Sequence, residues 1–320
     1  MNEAQALWLA DLLLEGAPIA DIEARMVEGG LSSEEANAEI EATLRSPIFR
    51  AARPKVQLGQ RMAMAAQLHL DVCDTGKAVP RRSGLSAKRF YSDWLDHHQP
   101  VVMEGFAADW PAMNWTPSSV LSTFGDSPIE LLRGRESAPH PDRSFRQLKQ
   151  RMTATELLRA LDDNASGNDL YLVARNHLMQ RPEAAGLLVD LAISEDWVSR
   201  ATLQGCCSLW IGPEGTKTSL HHDTCHAIFV QLYGRKSFRL ASPLNIQLML
   251  GAQAYYHRHR SMSDAELDGG VVETILGPGD ALYLPVGYWH EAESLDLNIG
   301  ISFNGLHRSN RFDDYVPGAL

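Results

Sequence analysis

A chain of 320 residues, 44% of them hydrophobic and 22% charged, can form one large globular domain with an appendage, or two domains. Its formal net charge of −11 argues against a general nucleic-acid binder, because such proteins need a basic face to displace counterions from phosphates. The sequence contains no run of about 18 apolar residues, so no membrane span is predicted. The N-terminus lacks the basic and apolar segments of a signal peptide.

Residues 1–80 are predicted to form an N-terminal helical region. Ser32 and Glu35 have the spacing of a capping box at the start of a third helix, which Pro47 is expected to end. A longer helix is predicted over 55–72, with Met62 and Met64 in the core. The region could serve in oligomerisation, making a homodimer reasonable, in partner docking, or as a structural cap.

Residues 81–320 are predicted to form the main domain, which opens with mixed short elements. The pattern indicates a helix after Ser86, a helix over 153–162, and strands over 100–105, 129–133 and 169–174. From residue 207 onward the chain consists of short strands separated by Gly/Pro turns, with an insertion over 244–270. This texture predicts a mainly β fold, a sandwich or jelly-roll barrel whose core covers about 205–305.

A metal site is indicated by the parity of one predicted strand. Side chains alternate faces along a strand, so His221 and Asp223 point the same way while His222 points the other way. His290, from a separate strand, would complete a set of three ligands. By itself a His-x-Asp pattern is weak, since chance produces it often.

Lys236 supplies a second clue, on the second strand of a hairpin predicted over 226–241 with its turn at Gly234 and Arg235. It shares its parity with Phe238 and Leu240, so it lies in a row that otherwise points into the core. A buried lysine is costly without a counter-anion, and no acidic residue occupies that row. Either a carboxylate from a small ligand meets it, or the lysine reaches out to water at the strand end.

Two imidazoles and one carboxylate with three open positions form the arrangement of non-haem Fe(II) oxygenases. A 2-oxo acid can chelate through two oxygens, leave the third position to O₂, and yield succinate on oxidative decarboxylation. Zinc is the rival metal, but hydrolases that use it usually place their His pair four residues apart on a helix. Cys225, near the site, is interpreted as a core filler rather than a ligand, and the four cysteines are expected to be reduced in a cytoplasmic protein.

Six stretches follow one another along the chain: 100–105, 109–111, 169–171, 218–223, 231–236 and 279–290. In this order they resemble the motifs of the cupin-like JmjC hydroxylases, and within that family those of the asparaginyl hydroxylase that inhibits hypoxia-inducible factor. The resemblance covers roughly 85–306. It implies Fe(II) held by His221, Asp223 and His290, and 2-oxoglutarate held by Lys236, Thr218, Tyr171 and Asn304. Thr218 can face the same cavity as His221 only if a bulge or turn at Ser219 changes the strand parity.

The leading hypothesis is a 2-oxoglutarate-dependent oxygenase that hydroxylates a side chain of a protein or peptide. The alternatives are the same chemistry on an RNA base or a small metabolite, and a metal-containing cupin without turnover. A binding module would have no need of Lys236. Histone demethylation also occurs in the superfamily, although no chromatin-reading module is visible in the sequence.

Overall fold

The computed structural model describes residues 1–72, 78–163, 166–264 and 270–316, and the chain divides into two compact units, Met1–Cys73 and Asp74–Leu320. Within these residues no helix has the length and apolar character needed to cross a membrane. The α-helices are α1 (Glu3–Glu15), α2 (Ile19–Glu28), α3 (Ser33–Arg45), α4 (Pro47–Val72), α5 (Ala87–Phe90), α6 (Pro117–Ser122), α7 (Phe145–Leu148), α8 (Ala154–Asp163), α9 (Ala185–Asp190), α10 (Arg200–Cys206) and α11 (Ile246–Leu250). Single turns of 3₁₀ or π helix cover Tyr91–Leu95, Pro111–Asn114, Ala174–Asn176, Leu178–Gln180 and Pro182–Ala184.

The strands are short and concentrated in the second half of the chain. They are β1 (Arg81–Ser83), β2 (Val101–Glu104), β3 (Ile129–Arg133), β4 (Lys149–Met152), β5 (Leu170–Tyr171), β6 (Cys207–Gly212), β7 (Lys217–His221), β8 (Ala227–Tyr233), β9 (Lys236–Ala241), β10 (Ala252–Gln253), β11 (Tyr256–His257), β12 (Val271–Leu276), β13 (Ala281–Leu284), β14 (Trp289–Ser294) and β15 (Asn298–Phe303).

The N-terminal unit is a small helical cluster. Its buried core comes from α1–α3 and the first turn of α4, and consists of Leu9, Leu13, Ile22, Met26, Ala36, Ile40 and Phe49. The predicted capping box is present, since the Ser32 hydroxyl accepts from the Glu35 N–H while the Glu35 carboxylate accepts from the Ser32 N–H. Such a cap stabilises a helix start by about 1 kcal/mol.

One prediction for this unit was confirmed and one was wrong. The third helix ends at Arg45, just before Pro47, and Pro47 itself opens α4 because proline is tolerated in the first turn of a helix. Met62 and Met64 are 63% and 73% exposed, so they are not core residues. The core is already filled by α1–α3 and Phe49, which leaves this part of α4 without apolar neighbours to cover it.

The second unit is built on two six-stranded sheets. One has the order β1-β2-β13-β8-β15-β6 and the other the order β10-β11-β7-β14-β9-β12, with mainly antiparallel pairing. A buried cluster containing Phe229 and Leu282 from the first sheet and Phe238 and Leu240 from the second fills the space between them. The described chain therefore confirms the predicted mainly β, jelly-roll type of fold.

Helices pack on the outer face of the first sheet. In the last strand, Ile299, Ile301 and Phe303 share one face and belong to a large cluster that also contains Phe90 and Leu178 from the helical segments. Ser302, of the opposite parity, lines a cavity between the sheets. The alternating pattern of β15 thus separates an outer apolar core from an inner polar wall.

Strand pairing in the second sheet determines which side chains meet. β14 lies between β7 and β9, with His290 opposite His221 on one side and Leu240 on the other. The predicted insertion also contributes to this sheet, because β11 pairs with β7 where Tyr256 lies opposite His221. The first histidine of the predicted metal site is therefore flanked by strands on both sides.

Candidate metal centre

The three predicted ligands meet at the end of β7. His221 is the last residue of this strand, Asp223 follows it, and His290 comes from the paired strand β14. The two imidazole rings have centroids 4.1 Å apart, and His290 Nε2 lies 3.8 Å from Asp223 Oδ2. One ligand atom from each residue lies within 4.8 Å of the others, which is close enough for all three to hold one ion.

Both histidines are oriented by backbone carbonyls. His221 Nδ1 is 2.8 Å from the carbonyl oxygen of Ser219, and His290 Nδ1 is 2.9 Å from that of Tyr288. Since a carbonyl can only accept, each Nδ1 carries the proton and each Nε2 is left with its lone pair. Burial, with the neighbouring His221, lowers the pKa of His290 to about 4, so its ring is neutral near pH 7, as a ligand must be.

A cavity of about 440 Å³ extends from this group into the space between the sheets. The sequence-predicted site residues all line it: His221, Asp223, His290, Lys236, Thr218, Tyr171 and Asn304. These side chains come from β5, β7, β9 and β14 and from positions just beyond β7 and β15, so the fold brings them together from five separate parts of the chain.

Lys236 lies deep in this cavity and is 1% exposed. Its Nζ donates to the Tyr171 hydroxyl at 2.7 Å and lies 5.2 Å from the centroids of the Tyr171 and Phe229 rings. No carboxylate among the described residues pairs with it. The reading in which this lysine reaches water is therefore wrong, and an anion-seeking ammonium group faces the cavity.

Thr218 faces the cavity because of an irregularity in β7. His290 pairs with His221, but Ala292, two residues further along β14, pairs with Thr218, three residues back along β7. The extra residue is a β-bulge, which confirms the parity change expected at Ser219. It places Thr218 Oγ1 3.4 Å from the Tyr171 hydroxyl.

The remaining predicted groups have different surroundings. Asn304 is exposed at the cavity wall, where its Nδ2 lies 3.5 Å from Cys225 Sγ. Cys225 also lines the cavity and so is not a core filler, although it is outside the group that could hold a metal in the described part of the chain. His222 is buried edge-on against Trp289 and is likewise outside that group.

Arg135 and Asp142 were missed by sequence reasoning. Both are buried beside the cavity in the loop after β3, and they form an ion pair of 2.8 Å. A single arginine and a single aspartate in a loop carry no periodic signal, so no pattern distinguished them from solvated residues. Trp210, whose Nε1 donates to the Ser302 hydroxyl in the cavity wall, was also missed because aromatic residues in strands are usually core.

His226 anchors the segment that follows Asp223. Its Nδ1 accepts from the Val286 N–H at 3.1 Å and from the Tyr283 hydroxyl at 2.8 Å. Burial, with the nearby His98, lowers the pKa of His226 to about 4. Protonation of Nδ1 would displace both donors, so the charged form is disfavoured in the folded chain.

This arrangement predicts a loss of stability in mild acid. Because the folded pKa of His226 is below the unfolded value of about 6.5, the unfolded chain binds the proton first as pH falls from about 6.5 to 4. The free energy of unfolding should fall across that window by on the order of 2 kcal/mol from this residue. Urea denaturation at several pH values should show a shallower dependence for His226→Gln than for the wild type, and an unchanged one for exposed His97→Gln.

Residues 87–307 match the family model described as a cupin-like domain. The chain belongs to this cupin-like family. The matched range contains both six-stranded sheets except β1, and all residues of the candidate metal centre.

Relatives of this cupin-like chain carry names from JmjC proteins. It is 27% identical over 259 residues to lysine-specific demethylase 8 of Danio rerio, which covers 72% of this chain and 59% of the relative. It is 27% identical over 252 residues to lysine-specific demethylase JMJ30 of Arabidopsis thaliana, covering 72% and 55%. It is 24% identical over 160 residues to the human bifunctional peptidase and (3S)-lysyl hydroxylase JMJD7, covering 48% and 51%.

The chain thus spans somewhat more than half the length of these curated relatives. The family-level prediction of a cupin-like, JmjC-type domain is confirmed. The finer similarity to the asparaginyl hydroxylase that inhibits hypoxia-inducible factor is not shown by these relatives and stays a prediction.

Proposed function

We propose that this protein is an Fe(II)- and 2-oxoglutarate-dependent oxygenase that hydroxylates a side chain of a protein or peptide. One observation carries the proposal: a cavity that contains a His/Asp/His group also contains a buried lysine with no acidic partner among the described residues. A metal-binding cupin without turnover would need the first feature but has no use for the second.

The side chains that line the cavity fit both Fe(II) and 2-oxoglutarate. His221, Asp223 and His290 would hold Fe(II) through two neutral imidazoles and a carboxylate, leaving open positions for a chelating 2-oxo acid and O₂. Lys236 would pair with the far carboxylate of 2-oxoglutarate, with hydroxyl hydrogen bonds from Tyr171 and Thr218. When bound, Fe(II) would supply oxidising chemistry from O₂ and 2-oxoglutarate: one oxygen atom of O₂ would enter succinate as CO₂ is lost, and the other would be available to the substrate.

The protein's own contribution is orientation and exclusion of water. The carbonyls of Ser219 and Tyr288 set the two imidazole rings, so the ligand atoms need little rearrangement to bind a metal. Phe229, Phe238 and Leu284 form an apolar wall around the co-substrate end of the cavity. Low local polarity strengthens the pairing of Lys236 with an anion and keeps water from competing for it.

Two features support a protein or peptide substrate. Relatives are named as lysine-specific demethylases and as a bifunctional peptidase and (3S)-lysyl hydroxylase, and a lysyl residue is part of a peptide or protein. The net charge of −11 disfavours an RNA substrate, because a polyanion would be repelled. A cytoplasmic location and a homodimer remain predictions from the sequence.

Anaerobic titration of the purified chain with Fe(II) and 2-oxoglutarate tests the chemistry without knowledge of the substrate. A chelate of the two should give a visible metal-to-ligand charge-transfer band, and exposure to O₂ should then release succinate slowly. Absence of the band at saturating Fe(II) and 2-oxoglutarate would contradict the proposal. A band without succinate release would favour the non-catalytic cupin.

Demethylation is the second candidate, and the names of two relatives favour it. Mass spectrometry of a cell extract incubated with the enzyme separates the two outcomes. Hydroxylation adds one oxygen to a peptide in a manner dependent on 2-oxoglutarate, whereas demethylation removes a methyl group and releases formaldehyde. We expect the oxygen addition, and formaldehyde release would overturn that choice while leaving the cofactor assignment intact.

A further inference from the structure

The buried ion pair beside the cavity has no role in the chemistry proposed above. Arg135 is fully buried and Asp142 is 9% exposed, with Arg135 NH1 2.8 Å from Asp142 Oδ1. Burial alone would raise the pKa of Asp142, but the charge and hydrogen bond of Arg135 and the hydrogen bond from Ser219 outweigh it and lower that pKa. The pair is therefore ionised, and a buried ion pair is costly to desolvate unless its remaining atoms are well used.

The other polar atoms of Arg135 and Asp142 form hydrogen bonds with the backbone on both sides of Thr218. Arg135 NH2 donates to the carbonyl oxygen of Lys217 at 2.6 Å, and Asp142 Oδ2 accepts from the Ser219 N–H at 2.9 Å. The side-chain oxygen of Asn168 accepts from the Lys217 N–H at 2.9 Å and from Arg135 Nε at 3.3 Å. We call Arg135, Asp142 and Asn168 together the clamp.

The clamp acts at the β-bulge of β7. A bulge leaves a residue outside the regular ladder, so its backbone groups need other partners. The Ser219 N–H lies within the bulge, between the pairs His290/His221 and Ala292/Thr218, and the Asp142 carboxylate is its acceptor. Tyr256 of β11 holds the backbone of Asp142 in place, since its hydroxyl donates to the Asp142 carbonyl at 3.0 Å.

The same bulge carries both halves of the site. The Ser219 carbonyl orients His221 through Nδ1, and the hydroxyl of Thr218 lies 3.4 Å from that of Tyr171. The Arg135 guanidinium carbon lies 5.3 Å from the centroid of the Tyr171 ring, so the ion pair also borders the co-substrate end. A shift of Ser219 would thus disturb a metal ligand and a co-substrate contact together.

We propose that Asp142 is a positioning residue that holds the β7 bulge and thereby orients His221 toward the metal and Thr218 toward 2-oxoglutarate. The inference rests on the function proposed above. It explains why an ionised carboxylate is retained at a buried position beside the cavity, where a neutral residue would avoid the cost of desolvation. It differs from a purely structural role, which would affect folding but not the affinities of the folded protein.

The variant Asp142→Asn tests the proposal, with binding as the readout. The dissociation constant for Mn(II), used in place of Fe(II), is measured by electron paramagnetic resonance, and that for 2-oxoglutarate by titration of the Mn(II)-loaded full chain. We expect both constants to rise by about 10- to 100-fold, the usual effect of losing a group that supports a metal ligand. The thermal unfolding midpoint is recorded for each variant to confirm that the measured protein is folded.

Glu130→Gln is the matched control. Glu130 pairs with Lys149 and Arg151 in the same unit, but it is not among the cavity residues. Its removal should lower the thermal midpoint and leave both dissociation constants unchanged. If lower stability of the whole unit were enough to weaken binding, both variants would bind Mn(II) and 2-oxoglutarate more weakly, and that result would overturn the positioning role.

Asp142→Glu keeps the proposal testable if Asp142→Asn does not fold, because it retains the charge beside Arg135. Its longer side chain displaces the acceptor from the Ser219 N–H, so Mn(II) and 2-oxoglutarate should again bind more weakly than in the wild type. Wild-type affinities in either folded variant would overturn the inference. If the wild-type chain itself binds neither Mn(II) nor 2-oxoglutarate, the proposed function fails instead, so the two failures are distinguishable.

Discussion

Replacing Lys236 with methionine should raise the stability of the ligand-free protein and remove its affinity for 2-oxoglutarate. The lysine is 1% exposed, surrounded by the rings of Tyr171, Phe229 and Trp210, and without an acidic partner among the described residues. Methionine has a similar shape and no charge to desolvate. We expect the free energy of unfolding to rise by about 1 to 3 kcal/mol, as when buried charges are exchanged for apolar groups.

The loss of affinity follows from the same charge. The far carboxylate of 2-oxoglutarate would lose the ammonium group that pairs with it, at a cost of about 2 to 5 kcal/mol, so the 2-oxoglutarate dissociation constant should increase at least about 30-fold. Binding of Mn(II) should be unchanged, since Lys236 is outside the metal-holding group. Chemical denaturation and ligand titration measure the two effects separately.

Lys88→Met is the control for this experiment, because Lys88 is exposed on α5. It should alter the free energy of unfolding by no more than about 0.5 kcal/mol and leave 2-oxoglutarate binding intact. A Lys236→Met protein that binds 2-oxoglutarate as tightly as the wild type would remove this residue from the co-substrate site. A large loss of stability would instead assign the lysine a structural role.

His221→Ala should abolish the Fe(II)–2-oxoglutarate charge-transfer band and the release of succinate. Two ligands would remain, and the lost donor is one whose Nε2 is already oriented by the Ser219 carbonyl. Loss of a supporting group costs about 10- to 100-fold in metal affinity, so loss of the ligand itself should exceed that range. Anaerobic absorption spectroscopy and a Mn(II) binding titration provide the measurement.

His222→Ala is a demanding control because the two histidines are adjacent. His222 packs edge-on against Trp289 with ring centroids 4.8 Å apart, so its removal leaves a cavity and lowers the thermal midpoint. Its folded fraction should still bind one Mn(II) per chain. If the metal were lost in His222→Ala and retained in His221→Ala, the ligand assignment would be wrong.

Features that depend only on residues close together in the sequence could be predicted from local patterns. The alternation of β15, the capping box of α3 and the shared face of His221 and Asp223 depend on side-chain period and on residues three apart or fewer, so they could be predicted from sequence. The bulge at Ser219 was also predictable, because Thr218 and His221 could not otherwise face one cavity. The order of motifs indicated the cupin-like family.

Burial of single residues was not predictable in the same way. Met62 and Met64 were expected in a core, but the remaining helices of their unit already fill it. Cys225 was expected to be a core filler, but lines the cavity. Whether one residue is covered depends on partners distant in sequence, and a helical or strand period specifies a face without specifying what packs on it.

The sequence by itself determined the fold type and the three candidate metal ligands, and it placed Lys236 in a row of core residues, because period-two alternation and the order of the motifs are local properties of the chain. Only the tertiary structure decided that Lys236 is fully buried and that Arg135 and Asp142 hold the bulge beside His221. Those features depend on strand register and on contacts between residues that lie tens of positions apart. Such contacts arise only once the sheets have paired, because no local pattern encodes the partner of a buried charge.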